Sequence, residues 1–212
     1  NILLKRSNKK VFYIPNYAEI FDKKIVQKKI SKKFTIVYAG NIGKAQKLFT
    51  LLKSANMLKE TDKVEIKIFG DGIELAKLKK YKKEKKIKHV NFYGKVSKER
   101  ILREYINSDA LFLSLAKDKF LNFTIPAKLQ TYFSIGKPVI ASASGETKKI
   151  ILSSKSGYCS PPENEVLLYE NIIRLINLNK KTIKRLGKNS KKYYKQNFSN
   201  DIITKMFKKI LN

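Results

Sequence analysis

The chain has 212 residues, enough to bury a sizeable core as one domain or a small pair. Hydrophobic residues make up 42%, with 12 Phe and 11 Tyr, which excludes a disordered polymer. Lys and Arg number 47 against 17 Asp and Glu, a net charge of +30, so an anionic partner has to be weighed: nucleic acid, an acidic membrane or a phosphorylated ligand.

Lysine is spread over every expected helix, alongside much Asn and Ile. Most of the charge therefore reads as compositional. A single cysteine, Cys159, cannot form an internal disulfide; it fits a reducing compartment and reads as a small buried hydrophobe. A single histidine, His89, excludes a multi-histidine metal site and sits at the edge of an apolar run. No stretch is long and apolar enough to span a bilayer, and the start lacks the apolar run of a signal peptide. The chain starts at Asn1 rather than Met and reads as a fragment whose N-terminal part is missing.

Residues 1–33 hold the short apolar run Val11 to Asn16 and a lysine-rich stretch, read as a linker. Phe34 to Ala39 predicts a buried strand, and Gly40-Asn41-Ile42-Gly43 turns into a helix from Lys44 to Leu58. Val64 to Phe69 is the second strand, followed by Gly70-Asp71-Gly72 and a helix from Ile73 to Lys85. Val90 to Tyr93 is the third, and Ser97 caps a helix through Ile106. Ala110 to Leu115 is the fourth strand, and a polar loop runs from Ala116 to Thr124.

Pro126 then suits the first position of a helix, Leu129, Tyr132 and Phe133 form its apolar face, and Gly136 stops it. Val139 to Ala141 is a strand, Glu146 to Ser153 a helix, and Gly157 to Cys159 a last short strand. Helices follow over Asn164 to Asn177 and Thr182 to Tyr194, and Ser199 caps a final one over 199–212. About six strands alternating with helices predict an α/β fold: a Rossmann-like, doubly wound parallel sheet over 34–198. Ligands in such sheets bind outside the carboxyl ends of the strands, where the glycine turns lie, so the turns are expected to converge.

Each turn is weak evidence alone. Gly40 and Gly43 allow close backbone approach, and a following helix would offer N–H groups to phosphate. The turn lacks the full dinucleotide or Walker pattern. Asp71 can accept from a ribose hydroxyl or cap the next helix. Tyr93-Gly94-Lys95-Val96 can present backbone to a base, with Tyr93 or Val96 against its ring. Glu146 either complements a helix dipole or touches a sugar. Lys128 falls in the first turn of the Pro126 helix, where a cation opposes the dipole and an anionic ligand would remove the conflict. Tyr193-Tyr194 reads as helix packing rather than base stacking. There is no hydrolase triad, paired-carboxylate site, zinc site or Asp-x-Asp metal motif.

In order and spacing, these pieces resemble the C-terminal, donor-binding domain of the GT-B glycosyltransferases of family 4, group 1. The segments that carry the resemblance are Tyr38 to Gln46, Ile68 to Gly72, Phe92 to Lys95, and Ile125 to Lys128 running on to Gly136 and Ala141. Gly-Asn-Ile-Gly-x-Ala-Gln and Ile-Pro-x-Lys-x-Gln-x-Tyr are most similar to the WbuB-type subgroup, which handles an N-acetyl-L-fucosamine-like sugar in bacterial surface polysaccharide. The resemblance implies the C-terminal half of a GT-B fold, joined by residues 1–33 to an N-terminal acceptor domain.

It also implies roles for residues. Gly40, Asn41, Ile42 and Gly43 would meet the donor diphosphate or sugar, with Gln46 close by. Asp71, Gly72, Tyr93, Gly94, Lys95 and Val96 would surround the nucleoside. Thr124, Ile125 and Lys128 would face the diphosphate, with Leu129 beneath the ribose. The family's two glutamates fall near Phe123 and on Thr131 here, so Thr131 stands where the ribose carboxylate is usual. The usual Arg and Lys after the first strand are replaced by Asn41 and Gln46. Lys128 is thus the expected catalytic cation, stabilising the departing nucleoside diphosphate without a metal or cofactor. The donor is expected to be a UDP-linked sugar and the acceptor a glycan or lipid-linked hydroxyl. The expected location is cytoplasmic, with contact to an anionic membrane. An epimerase of the same fold and a basic nucleic-acid-binding module are the alternatives. The first needs an additional acid/base set; the second needs clustered Arg and exposed aromatics, and this chain is dominated by Lys.

Overall fold

The computed structural model describes residues 12, 14–16, 32–58 and 63–211. The expected linker over 1–33, with its apolar run, lies largely outside the described residues. Six strands form: β1 (Phe34–Ala39), β2 (Val64–Phe69), β3 (Val90–Gly94), β4 (Ala110–Ser114), β5 (Val139–Ser142) and β6 (Gly157–Ser160). They pair in parallel in the order β3-β2-β1-β4-β5-β6. The helices are α1 (Phe49–Met57), α2 (Leu75–Glu84), α3 (Lys98–Asn107), α4 (Ala127–Ile135), α5 (Gly145–Ser153), α6 (Glu165–Ile176), α7 (Lys180–Asn197) and α8 (Asn200–Leu211). The expected α/β, Rossmann-like sheet is the one observed.

Strand side chains alternate between faces, and both faces are covered. Ile36 and Tyr38 of β1 join Ile66, Ile68 and Phe112 in a core packed under Leu51, Leu52 and Leu168 of α1 and α6. Val37 and Ala39, on the other face, join Leu111 and Leu113 under Leu129, Tyr132 and Phe133 of α4. Strand order reverses between β1 and β4, so the loops after these two strands diverge and leave a crevice.

Three local expectations are corrected. The helix read from Lys44 to Leu58 is two pieces: a 3-10 turn over Lys44–Gln46 and then α1. Lys47, at φ 44°, breaks the run in the left-handed region. Pro126 is the cap of α4 rather than its first helical residue, with ψ 138°. The helix after Gly72 starts two residues later than expected, at Leu75 with Glu74 as cap, so Asp71 does not cap it. Gly136 does end α4, at φ +80°. Ser97 caps α3 by accepting from Arg100 N–H. The hydroxyl of Ser199 donates back to the Lys195 carbonyl.

Candidate active site

Three glycine turns meet at the carboxyl end of the sheet, tied by backbone hydrogen bonds. Gly40 N–H donates to the Phe69 carbonyl at 3.0 Å, Ile42 N–H to Asp71 at 2.8 Å and Gly70 N–H to Gly94 at 2.7 Å. The packing admits no side chain at Gly70: a Cβ there would lie 2.0 Å from the Gly40 carbonyl oxygen, and φ is +120°. Gly72 is held as tightly against the Ile42 carbonyl. These turns leave a cavity of about 420 Å³, lined by Ala39, Gly40, Asn41, Gly70, Asp71, Lys95, Val96, Ile101 and Tyr105.

Lys128 reaches this rim from the first turn of α4. Its Nζ donates to the Tyr38 hydroxyl at 2.8 Å and stands 4.2 Å from the centre of that ring. The Tyr38 hydroxyl donates in turn to the Asn41 carbonyl. The lysine lies so close over Gly40 that a Cβ there would be 2.3 Å from Nζ. The ammonium has no carboxylate partner among the described residues, and burial pulls its pKa down to about 8. Burial holds the Tyr38 phenol well above its usual range, so it stays protonated. No side chain caps α4, so its amino end is open where Lys128 reaches the rim, although Leu129 N–H already donates to the Pro126 carbonyl. A half-buried cation, a helix N-terminus and glycine backbone together suit an anion of the size of a diphosphate.

The other expected residues fall into three groups. Asn41 and Gln46 lock the first turn: Gln46 Oε1 accepts from Gly43 N–H at 3.2 Å and from Asn41 Nδ2 at 3.4 Å. The Asp71 carboxylate accepts from Gly72 N–H at 2.8 Å and pairs with Lys95 at 3.6 Å across the cavity. Val96 lines the cavity beside them. Tyr93 stacks on Phe69 with ring centres 4.7 Å apart, leaving one face of its ring outward. Gly94 needs glycine only for its φ of +70°, since a Cβ there would meet nothing.

Around α4, Thr124 and Thr131 each bond to their own chain, their hydroxyls donating to the Leu121 and Ala127 carbonyls. Ile125 is half-buried, packed against the core. Leu129 is fully buried, so it supports the rim from beneath and presents no surface to a ligand. Glu146 sits in the first turn of α5 and pairs with Lys149 at 2.7 Å. The backbone of Asn122 presses against Gly145, which seats the 116–124 loop on the start of α5.

Sequence reasoning missed Tyr38, Ile101 and Tyr105. Tyr38 lay inside a quoted motif but read as strand core. Tyr105 reaches the Ala39 carbonyl from α3 at 3.4 Å, and only the fold brings that helix to the cavity. Tyr193 and Tyr194 pack as expected, Tyr193 against Phe133. Burial raises the Cys159 thiol to about 11, which leaves it a poor nucleophile.

No curated protein matches the chain significantly. Among solved structures, S. aureus TarM with fondaparinux, alpha-GlcNAc-glycerol and UDP is similar at TM-score 0.79 and 17% identity, covering 100% of this chain and 41% of that one. The pneumococcal O-GlcNAc transferase GtfA with UDP and GlcNAc is similar at TM-score 0.74 and 15% identity, covering 97% and 40%. HepE of Anabaena with UDP and glucose is similar at TM-score 0.70 and 14% identity, covering 85% and 48%. At these identities the likeness bears on fold, and this chain spans less than half of each. The family model described as glycosyl transferases group 1 matches residues 20–193. By that match over most of its length, with the Rossmann-like sheet to go with it, the chain belongs to the group 1 glycosyl transferases.

Proposed function

We propose that this chain is the donor-binding half of a glycosyltransferase that takes its sugar from a UDP-linked donor. The observation that carries the reading is the Lys128 ammonium, half-buried without a carboxylate partner among the described residues, at the N-terminus of α4 and against Gly40. The three solved relatives named above each hold UDP, which favours that nucleotide.

The chemistry follows from charge. Breaking the bond between the anomeric carbon and the phosphate oxygen leaves an additional negative charge on the diphosphate. A fixed cation and an aligned helix dipole stabilise that charge more in the transition state than in the ground state. Lys128 holds this place through Tyr38, so little reorganisation is needed when the charge develops. Asp71, Lys95 and Val96 would flank the nucleoside in the cavity. Thr131, in place of a ribose carboxylate, offers a weaker hydroxyl contact. The acceptor is a hydroxyl on a glycan or lipid-linked glycan of a bacterial surface polysaccharide. Its site belongs to a second domain outside this chain. The Asn41 and Gln46 turn favours the WbuB-type subgroup over relatives with Arg and Lys there.

Calorimetric titration with UDP, GDP and ADP tests the reading. UDP is expected to bind most tightly. Failure of all three nucleotides to bind would overturn it.

A further inference from the structure

A second and larger hollow, of about 830 Å³, opens at the opposite edge of the sheet, among the amino ends of β1, β4 and β5 and the side of α7. Its rim is basic. Lys180, Lys184, Lys188 and Lys191 line it from α7, and Lys32, Lys63 and Lys137 line it from other elements. A single carboxylate, Asp109, shares the lining. Seven lysines to one acid exceeds the bias of the whole chain, at 47 basic to 17 acidic residues.

Two of these lysines have structural work: Lys137 donates to the Ser108 carbonyl at 2.7 Å, and Lys191 to the Ser134 carbonyl. Lys180, Lys184 and Lys188 do not share it. They are exposed and have no acidic partner among the described residues. Their spacing of four places them in one row, where like charges repel. Beneath the cations lies a half-buried apolar floor of Phe34, Ile135, Leu178 and Ile183. These side chains pack inward on the two cores of the sheet and leave part of their apolar surface facing the hollow. A nucleic-acid groove would be expected to use arginine, and this hollow has none in its lining.

We infer that this hollow seats an anionic phospholipid of a bilayer surface. The lipid phosphate lies against the lysine row of α7, and the first methylenes of its chains cover the apolar floor. A cationic rim over an apolar floor matches an amphiphile with an anionic head. The six residues of β1 separate the hollow from Gly40 by roughly 20 Å, so nucleotide and lipid would not compete. The inference goes beyond the donor-site reading, and its test contains no nucleotide, so either can fail without the other.

The experiment is flotation of the full chain with phosphatidylcholine vesicles, with and without phosphatidylglycerol. Binding is expected only with phosphatidylglycerol. The variant Lys180→Gln/Lys184→Gln/Lys188→Gln should lose at least about tenfold in affinity, and Lys79→Gln/Lys80→Gln/Lys83→Gln on α2, with the same net charge, should stay within about twofold. The triple arginine variant at positions 180, 184 and 188 should bind like the parent chain. Equal losses in the two glutamine variants would mean attraction by bulk charge and would overturn the inference. So would no binding to either vesicle, or release by soluble glycerol phosphate at the concentration of lipid phosphate used.

Discussion

The Nζ of Lys128 lies 2.8 Å from the Tyr38 hydroxyl, joining the start of α4 to the end of β1 across the point where strand order reverses. This contact turns two otherwise ordinary residues into one unit. The tyrosine orients the lysine, and the lysine holds a positive charge where the glycine turns converge. Its burial without a carboxylate partner among the described residues is a cost to the empty fold that an anionic ligand would offset.

Removing this half-buried charge should therefore stabilise the empty protein. Lys128→Met keeps the length and apolar body of the side chain. It is expected to raise stability at pH 7 by on the order of 2 kcal/mol, because a pKa displaced by burial is a stability difference between the two states. Urea unfolding checks this. A loss of stability would mean that the Tyr38 contact outweighs the desolvation.

The same displacement fixes the pH dependence of that difference. The folded pKa, about 8, lies below the 10.5 usual for a lysine, so the unfolded chain holds more protons at Lys128 between those values. The cost of burying the charge is fully present below pH 8 and disappears as pH rises towards 10.5. The stability gap between Lys128→Met and the parent chain should shrink across that window. Nucleotide binding should run the opposite way: affinity is level between about pH 7 and 8, above the titration of the terminal phosphate, and falls above pH 8, with proton uptake on binding. Calorimetry in two buffers of different ionisation enthalpy measures that uptake.

Tyr38→Phe keeps the ring in the core and removes the hydroxyl that links Lys128 to the Asn41 carbonyl. A loss of about 1–3 kcal/mol is expected, since it leaves a buried donor and a carbonyl without their partner. In the Lys128→Met background the same substitution should cost less, because one of the orphaned groups is already gone. Additive effects in this cycle would show that the two residues act independently.

The glycine turns separate close approach from backbone conformation. Gly70→Ala places a Cβ 2.0 Å from the Gly40 carbonyl oxygen and should disrupt the turn assembly, lowering stability by at least about 3 kcal/mol. At Gly94 an added Cβ meets nothing within 4 Å and Asn tolerates positive φ, so the cost of Gly94→Asn should stay at about 1 kcal/mol. Thermal melts of the two variants decide it, and equal losses would contradict the packing described.

Much of this was legible in the chain because the signals were local. Val64 to Phe69 carries its own strand signature, and Gly136 its own stop. The positions of Gly40, Asp71 and Lys95 at one rim followed from strand polarity, since each lies just past a strand's carboxyl end. What failed depended on three dimensions. The Gln46 side chain ties back to Gly43, and Lys47 enters the left-handed region, so the helix read from Lys44 breaks although its composition suits one. The resemblance places Leu129 beneath the ribose, but the side chain turns wholly into the core, as its spacing with Tyr132 and Phe133 implies. Tyr105 reaches the cavity only because α3 packs beside β1, which no local pattern announces.

The most direct measurement of the central claim is the affinity of UDP for the parent chain and for Lys128→Ala at pH 7, by calorimetry. The account predicts binding to the parent chain and at least about tenfold weaker binding to the variant, as expected for loss of a partly buried, charge-assisted contact. Equal affinities, with both proteins folded, would contradict it.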